Sequence, residues 1–143
     1  MARDVTPEQF LAGTDSGVAV FRWVRRVLAD GGFDFTVSTS KSQVAFRRRR
    51  GFAYLWLPGQ YLRRPNAVVV LSIALGRELP SSRFKEMTRS APAIWMHHLE
   101  VNSVDELDDE IAAWLRESAE TAGPATRSSG RNPLADLAHD YRS

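Results

Sequence analysis

A run of arginines and aromatic residues near the middle of the chain has the residue types and spacing of an anion-binding surface. The stretch from Ser42 to Leu57 reads Ser-Gln-Val-Ala-Phe-Arg-Arg-Arg-Arg-Gly-Phe-Ala-Tyr-Leu-Trp-Leu. Guanidinium groups pair with carboxylates and phosphates, and aromatic rings stack on planar groups. This combination favours a noncatalytic binding module for an anionic partner, either a nucleotide-like molecule or a nucleic acid.

The same run has the pattern of a β-hairpin whose turn is Arg50-Gly51. Gly51 would supply the positive φ of a tight turn, and Arg47 would then lie opposite Tyr54. Because side chains alternate between the two faces of a strand, one face is apolar and the other carries arginines and rings. The apolar set is Val44, Phe46, Ala53, Leu55 and Leu57; the basic aromatic set is Arg47, Arg49, Phe52, Tyr54 and Trp56. Arg48 shares the apolar side, which predicts a place at the rim of the sheet.

The basic aromatic set has two interpretations. In the first, the rings form a platform for a ring-shaped ligand and the arginines hold its anionic group. In the second, guanidinium groups stack on the rings and protect them, or another element covers the rings. Burial of the same face against a second copy or a partner would instead make it a surface for protein–protein contact or homodimerisation. The sequence leaves both interpretations open.

Lys41 and a histidine pair are further candidates. Lys41 lies in the small polar turn 38–42, where it could contact an anion, although an ordinary turn also explains it. His97 and His98 are adjacent, and neighbours in a strand point to opposite faces, so they do not easily chelate one metal. His97 shares its side with apolar residues and is expected to be buried and hydrogen-bonded. His98 joins the candidate ligand contacts, and with Glu100 it offers the weaker alternative of an enzyme pocket.

Several classes of site are absent from the sequence. It has no cysteine, which excludes disulfides and thiolate metal sites. The common catalytic and nucleotide-binding motifs do not occur. Five acids between Asp105 and Glu110 resemble a metal site by composition, but they fall in the first turns of a predicted helix, where acids favour the helix dipole. We therefore assign no catalytic residue, no metal and no cofactor.

Charge is distributed unevenly along the chain. The segment 21–89 carries fourteen Lys and Arg residues against four acids, and the segment 98–120 carries eight acids against one Arg. A basic pole attracts anionic partners, although opposite poles of one fold also attract each other. No stretch is long enough to span a membrane, and the first residues lack the apolar core of a signal peptide. We therefore expect no membrane partner and a cytoplasmic location.

The elements that must position these residues follow an α+β pattern. Thr6 opens a short helix with a capping box, and a second helix runs from about residue 15 to Gly31 with an apolar stripe. That stripe is Val20, Phe21, Val24, Val27 and Leu28. Strand-like segments cover about 33–38, 43–49, 52–57, 67–75 and 94–101, and a helical turn is expected at 83–89. Ser103 begins a second capping box, which predicts a last helix from that point.

These elements predict a two-layer α+β domain over residues 1–122, followed by a flexible C-terminal tail at 123–143. A mainly antiparallel sheet of about five strands would pack against the N- and C-terminal helices.

Three segments carry a family resemblance. They are Lys41-Ser-Gln-Val-Ala-Phe-Arg-Arg-Arg-Arg-Gly-Phe-Ala53, Ala93-Ile-Trp-Met-His-His-Leu-Glu-Val101 and Glu106-Leu-Asp-Asp-Glu-Ile-Ala-Ala-Trp-Leu-Arg116. Together they resemble a bacterial family catalogued as domain of unknown function 5655, over roughly residues 10–119. The resemblance implies a single α+β domain with a curved antiparallel sheet and flanking helices. It implies no catalytic residues.

Overall fold

The computed structural model describes residues 5–58 and 68–124, which form an α+β fold. The helices are α1 Pro7–Phe10, α2 Asp15–Asp30 and α3 Asp109–Ala122, with a 3-10 turn at Val104–Glu106. The strands are β1 Thr36–Thr39, β2 Val44–Arg47, β3 Gly51–Trp56, β4 Val69–Leu75, β5 Glu86–Ala91 and β6 Ile94–Val101. Most of the predicted tail, from residue 125 onward, lies outside the described residues.

The first two helices begin where the sequence predicts. The Thr6 hydroxyl accepts a hydrogen bond from the Gln9 amide, and the Gln9 side chain accepts one from the Thr6 amide, which completes the capping box. Thr14 caps α2 in the same way through the amide of Gly17. The predicted apolar stripe of α2 is buried along its whole length. Each such side chain contributes about 1.5–3 kcal/mol of hydrophobic stabilisation.

The last helix begins later than the capping pattern at Ser103 predicts. The Ser103 hydroxyl accepts from the amide of Asp105, but it caps only the 3-10 turn. Leu107 then adopts an extended conformation, which interrupts the helix. Asp108 caps α3 through the amide of Ile111. The Ser103 side chain therefore caps a shorter element than the sequence predicts, and the predicted capping box does not form, since the Glu106 carboxylate accepts from the amide of Asn102.

The sheet has six antiparallel strands in the order β1-β2-β3-β4-β6-β5. The helical turn predicted at 83–89 was wrong in its second half, since β5 begins at Glu86 and pairs with β6. This strand lies at the edge of the sheet, and none of its residues is buried. Its sequence therefore lacks the apolar alternation typical of strands.

The central hairpin differs from its predicted register by two residues. Phe46 lies opposite Ala53 rather than Leu55, and the strand pairing is irregular after Phe46. A shift of two preserves which side chains share a face, because side-chain direction repeats every two residues. The prediction for Gly51 was also wrong, since the positive-φ glycines of the described residues are Gly32 and Gly123. Gly51 is instead required because the Tyr54 hydroxyl occupies the place of a Cβ atom.

The two faces of the sheet pack differently. The first, which we call the helix-side face, packs against α2 and α3 and holds the main core. Its strand residues include Val44, Phe46, Ala53, Leu55, Leu71, Ile73, Leu99 and Val101. The opposite face, which we call the second face, has a small cluster of Ala45, Tyr54, Ala74 and Met96. Polar residues lie beside this cluster on the second face.

Candidate anion-binding surface on the second face

The four consecutive arginines differ in their environments, although they form one run in the sequence. Arg48 is the most completely paired. Its Nη1 donates to the carbonyl of Ala119 at 2.8 Å, and its Nε donates to the carbonyl of Asp34 at 3.0 Å. Its Nη2 lies 3.3 Å from the Asp34 carboxylate, and its guanidinium lies over the ring of Phe33. Arg48 therefore ties the hairpin to the C-terminal end of α3, where carbonyl groups attract a cation.

Arg49 and Arg50 follow β2 and precede β3, so they belong to the turn. Arg49 is exposed, and its backbone amide donates to the carbonyl of Gly123 at 3.1 Å. The predicted position of Arg49 opposite Phe52 was wrong, since the strand pairing ends with Arg47 and Gly51. The turn is longer than two residues, and this moves Arg49 off the sheet.

Arg47 is the last residue of β2 and points to the second face, because its neighbour Phe46 points into the helix-side core. Its Nε and Nη1 atoms are buried and have no hydrogen-bond partner. They are the only buried side-chain nitrogen or oxygen atoms in this condition among the residues that the structure describes. The guanidinium group is therefore held on this face with unsatisfied donors.

Phe52 does not belong to this surface, and its predicted place there was wrong. On β2, Phe46 pairs with Ala53 and Arg47 pairs with Gly51, so Phe52 is an extra residue without a partner. Such a bulge redirects a side chain. Phe52 is 1 % exposed and packs in the main core of the helix-side face.

Tyr54 lies on the second face, as predicted, with 7 % of its surface exposed. It pairs with Ala45 rather than with Arg47, and its hydroxyl reaches back over Gly51. Because Gly51 is directly opposite Arg47, the Tyr54 hydroxyl extends toward the strand position of Arg47. The ring packs among the small side chains of the cluster, so it does not form the broad stacking platform that the sequence suggested.

Trp56 and His98 are connected through Ser72, which is not among the site residues predicted from the sequence. The indole Nε1 of Trp56 donates to the Ser72 hydroxyl at 3.0 Å, and that hydroxyl lies 2.7 Å from Nδ1 of His98. The rings of Trp56 and His98 are arranged edge to face, with their centroids 6.4 Å apart. Ser72 is 2 % exposed. The available signal was that Ser72 interrupts the otherwise apolar run 67–75.

His98 is half-buried, and this burial lowers its pKa; nearby Glu86 acts in the opposite direction. Glu86 lies directly opposite His98 on β5. The pair suggested by the sequence, His98 with Glu100, shares a face, but no hydrogen bond between them occurs within the described parts of the chain. His98 is thus positioned by Ser72 rather than by a carboxylate.

His97 is fully buried on the helix-side face, as predicted. Its Nε2 accepts from the backbone amide of Leu79 at 3.0 Å, and its Nδ1 donates to the carbonyl of Ile73 at 3.3 Å. Burial lowers its pKa, so the neutral ring is favoured. Its role is to pair two backbone groups inside the core.

Lys41 is exposed in the loop between β1 and β2. This loop precedes β2, whereas Arg47 ends it, so the two residues lie at opposite ends of the strand. The structure therefore divides the predicted site. It brings the Tyr54 hydroxyl toward Arg47, joins Trp56 to His98, and leaves Lys41, Arg49 and Phe52 outside both groups.

A family model described as a domain of unknown function (DUF5655) matches residues 8–122, which is most of the chain. The chain belongs to this family. The matched range includes Arg47, Tyr54, Trp56, Ser72 and His98. No curated protein and no solved structure gives a significant match.

The described residues of this DUF5655 domain form neither a metal-ligand cluster nor a membrane-spanning helix. In residues 5–58 and 68–124, no group of three His, Cys, Asp or Glu side chains is placed to hold a metal ion. No helix in the same ranges is long and apolar enough to cross a membrane. In the acidic segment 105–110, Asp108 and Glu110 instead pair with Arg83 at 2.9 and 2.8 Å. Asp108 also caps α3.

Proposed function

We propose that the second face of this DUF5655 domain binds an anionic ligand, with Arg47 as its main contact. The observation that carries the proposal is the pair of buried, unpaired donors on the Arg47 guanidinium. Arginine stays charged at all physiological pH values, so burial cannot be relieved by loss of a proton.

The unpaired donors have an energetic cost. A buried donor without a partner costs about 1–3 kcal/mol, and more when the group is charged. The neighbouring Arg48 avoids this cost because carbonyl and carboxylate oxygens pair all three of its nitrogens. A ligand carboxylate or phosphate would offset the cost at Arg47, since its oxygens match the geometry of the guanidinium edge.

The surroundings favour one anionic group rather than a long stack of bases. Tyr54 packs within the cluster of the second face, so its ring is not laid open as a platform. Its hydroxyl lies over Gly51, which is opposite Arg47. We therefore favour a nucleotide-like or other small anionic molecule over single-stranded nucleic acid.

The test is a calorimetric titration with pyrophosphate, adenosine monophosphate and a short oligothymidylate at low salt. The variant Arg47→Met keeps most of the side-chain volume and removes the charge. We expect it to weaken binding of the anion at least tenfold, because a hydrogen bond to a charged group contributes about 1.5–3 kcal/mol. The matched control is Arg22→Met, which removes the same charge from an exposed position of α2.

The outcomes separate the two interpretations of this face. Equal affinities of the wild type and Arg47→Met, or no binding of any probe to the wild type, would contradict the proposal. Light scattering gives the mass in the same samples. A doubled mass that Arg47→Met abolishes would assign the face to self-association instead.

A further inference from the structure

Beyond Arg47, the second face has a chain of hydrogen bonds that runs from Trp56 through Ser72 to His98. The indole N–H of Trp56 can only donate, so the Ser72 oxygen must accept from it. The Ser72 hydroxyl then has its own proton to donate, and Nδ1 of His98 lies 2.7 Å away. In the arrangement that uses this Ser72 proton, Nδ1 of neutral His98 is the acceptor and Nε2 carries the proton.

The far end of the His98 ring is available for a ligand. No hydrogen bond to its Nε2 occurs among the described residues, and Nε2 is not one of the buried unpaired atoms. His98 is half-buried overall. With the proton on Nε2, the half-buried ring has an N–H donor for a ligand, while Ser72 holds its other nitrogen.

The charges around this donor differ from those around Arg47. Glu86 lies directly opposite His98, and Glu100 follows two residues later on the same face of β6. Two carboxylates disfavour a second anionic group at this position. They favour an uncharged group with hydroxyls, because a carboxylate accepts from a hydroxyl and the His98 N–H donates to its oxygen. The indole of Trp56 adds an apolar surface next to His98.

The separation of the two positions sets the length of the ligand. Arg47 on β2 and His98 on β6 are three strand spacings apart, since β3 and β4 lie between them. At about 4.8 Å per spacing, and with Arg47 two residues along β2 from the position that is level with His98, the two backbones are about 16 Å apart, which long side chains shorten. A single ligand that contacts both must therefore be extended, with an anionic group at one end and an uncharged polar group at the other.

We propose that Ser72 and Trp56 are positioning residues that hold His98 as an Nε2–H donor, forming a subsite for the hydroxyl-bearing, uncharged end of an extended anionic ligand such as a nucleoside monophosphate. This subsite rests on the proposed function, because the anionic end binds at Arg47. It also adds a selectivity that Arg47 alone does not give, namely a preference for a nucleotide over phosphate.

The first experiment reads the hydrogen-bond chain without any ligand. Long-range ¹H–¹⁵N NMR of the imidazole nitrogens identifies the tautomer of neutral His98. We expect the Nε2–H form in the wild type and a mixture of tautomers in Ser72→Ala and in Trp56→Phe. A wild-type ring in the Nδ1–H form, or a tautomer unchanged in both variants, overturns the positioning role.

The second experiment compares adenosine monophosphate with inorganic phosphate by calorimetry. We expect the nucleotide to bind about tenfold more tightly than phosphate to the wild type, and this advantage to disappear in His98→Ala. His98→Gln, which keeps an N–H donor, should restore part of it. Arg47→Met should weaken both probes, since it removes the anion contact.

The results distinguish the failure of each proposal. If Arg47→Met weakens binding but the nucleotide keeps its advantage in His98→Ala, the subsite is wrong and the anion site stands. If neither probe depends on Arg47, the anion site fails, and the subsite that rests on it fails with it. A nucleotide that binds no better than phosphate to the wild type also overturns the subsite.

Discussion

The two faces of the sheet treat neighbouring residues of the same type in opposite ways. Arg48 is paired with carbonyl and carboxylate groups, whereas Arg47 on the second face keeps two buried donors without partners. His97 bonds backbone groups inside the core, whereas His98 is held by a side chain and keeps one nitrogen available. In each adjacent pair, one residue therefore stabilises the fold, and the other is a candidate for binding a ligand.

The difference teaches where stability and function lie in this domain. On the helix-side face, polar side chains pair with backbone groups of distant segments, so their loss leaves other groups unpaired. On the second face, the polar side chains described above bond mainly to each other or have donors to spare. Most buried donors in native proteins have partners, so an exception such as Arg47 calls for an explanation, for which we propose a bound anion.

The arginine pair gives the largest expected contrast in stability. Arg48→Met should lower the free energy of unfolding by about 3 kcal/mol, because it leaves the carbonyls of Asp34 and Ala119 without a donor. Arg47→Met should be neutral or stabilising, since it removes an unpaired buried charge. Urea denaturation of both variants measures this. Equal losses of unfolding free energy in the two variants would contradict the proposed difference between the two faces.

The histidine pair gives the second contrast. His97→Leu should cost about 2 kcal/mol, because the amide of Leu79 and the carbonyl of Ile73 lose their partner inside the core. His98→Leu should cost less than about 1 kcal/mol, since the ring is half-buried at the surface of the sheet. The same denaturation assay compares them. A larger loss for His98→Leu than for His97→Leu would show that the second face carries core stability.

A substitution at Gly51 tests whether the Tyr54 side chain packs toward Arg47. Gly51→Ala should cost about 1–2 kcal/mol, because the new methyl group collides with the Tyr54 hydroxyl. Tyr54→Phe removes that hydroxyl, so the double variant should recover part of the loss. A double-mutant cycle with no coupling would mean that the Tyr54 hydroxyl does not extend over Gly51.

The pH dependence of stability is the smallest expected effect. In the folded state, burial lowers the pKa of both histidines below the usual value of about 6.5. The unfolded chain then binds protons first as the pH falls, so stability is complete above about pH 6.5 and declines below it. Urea midpoints measured from about pH 8 down to about pH 5 follow this decline. His97→Leu and His98→Leu should each reduce the decline, and a decline unaltered by either variant would assign it to other groups.

The sequence predicted the α+β class, the stripe of α2, the buried state of His97 and the face of Tyr54. These follow from periods of 3.6 and 2 residues, which are local properties of the chain. It missed β5 because an edge strand with few buried residues lacks that pattern. It placed the start of α3 too early because a capping residue does not reveal how long its helix will be.

On the candidate surface, too, some features were predicted correctly from the sequence and others were not. Alternation alone placed Val44 and Phe46 on one face and Tyr54 on the other, and this survived a register shift of two residues. Alternation failed at Phe52, where a bulge adds a residue to one strand and redirects the ring into the core. A bulge depends on pairing with another strand, so a single run of sequence does not show it.

The sequence by itself determined that this chain forms strands with one apolar face and that Arg47 and Arg48 point in opposite directions. Only the tertiary structure decided what each arginine meets, since the Ala119 carbonyl that pairs with Arg48 lies 71 residues away along the chain. The same holds for Ser72 and His98, which are 26 residues apart and meet because β4 pairs with β6. Side-chain direction follows from neighbouring residues except at a bulge such as that at Phe52, whereas hydrogen-bond partners are set by the packing of distant segments.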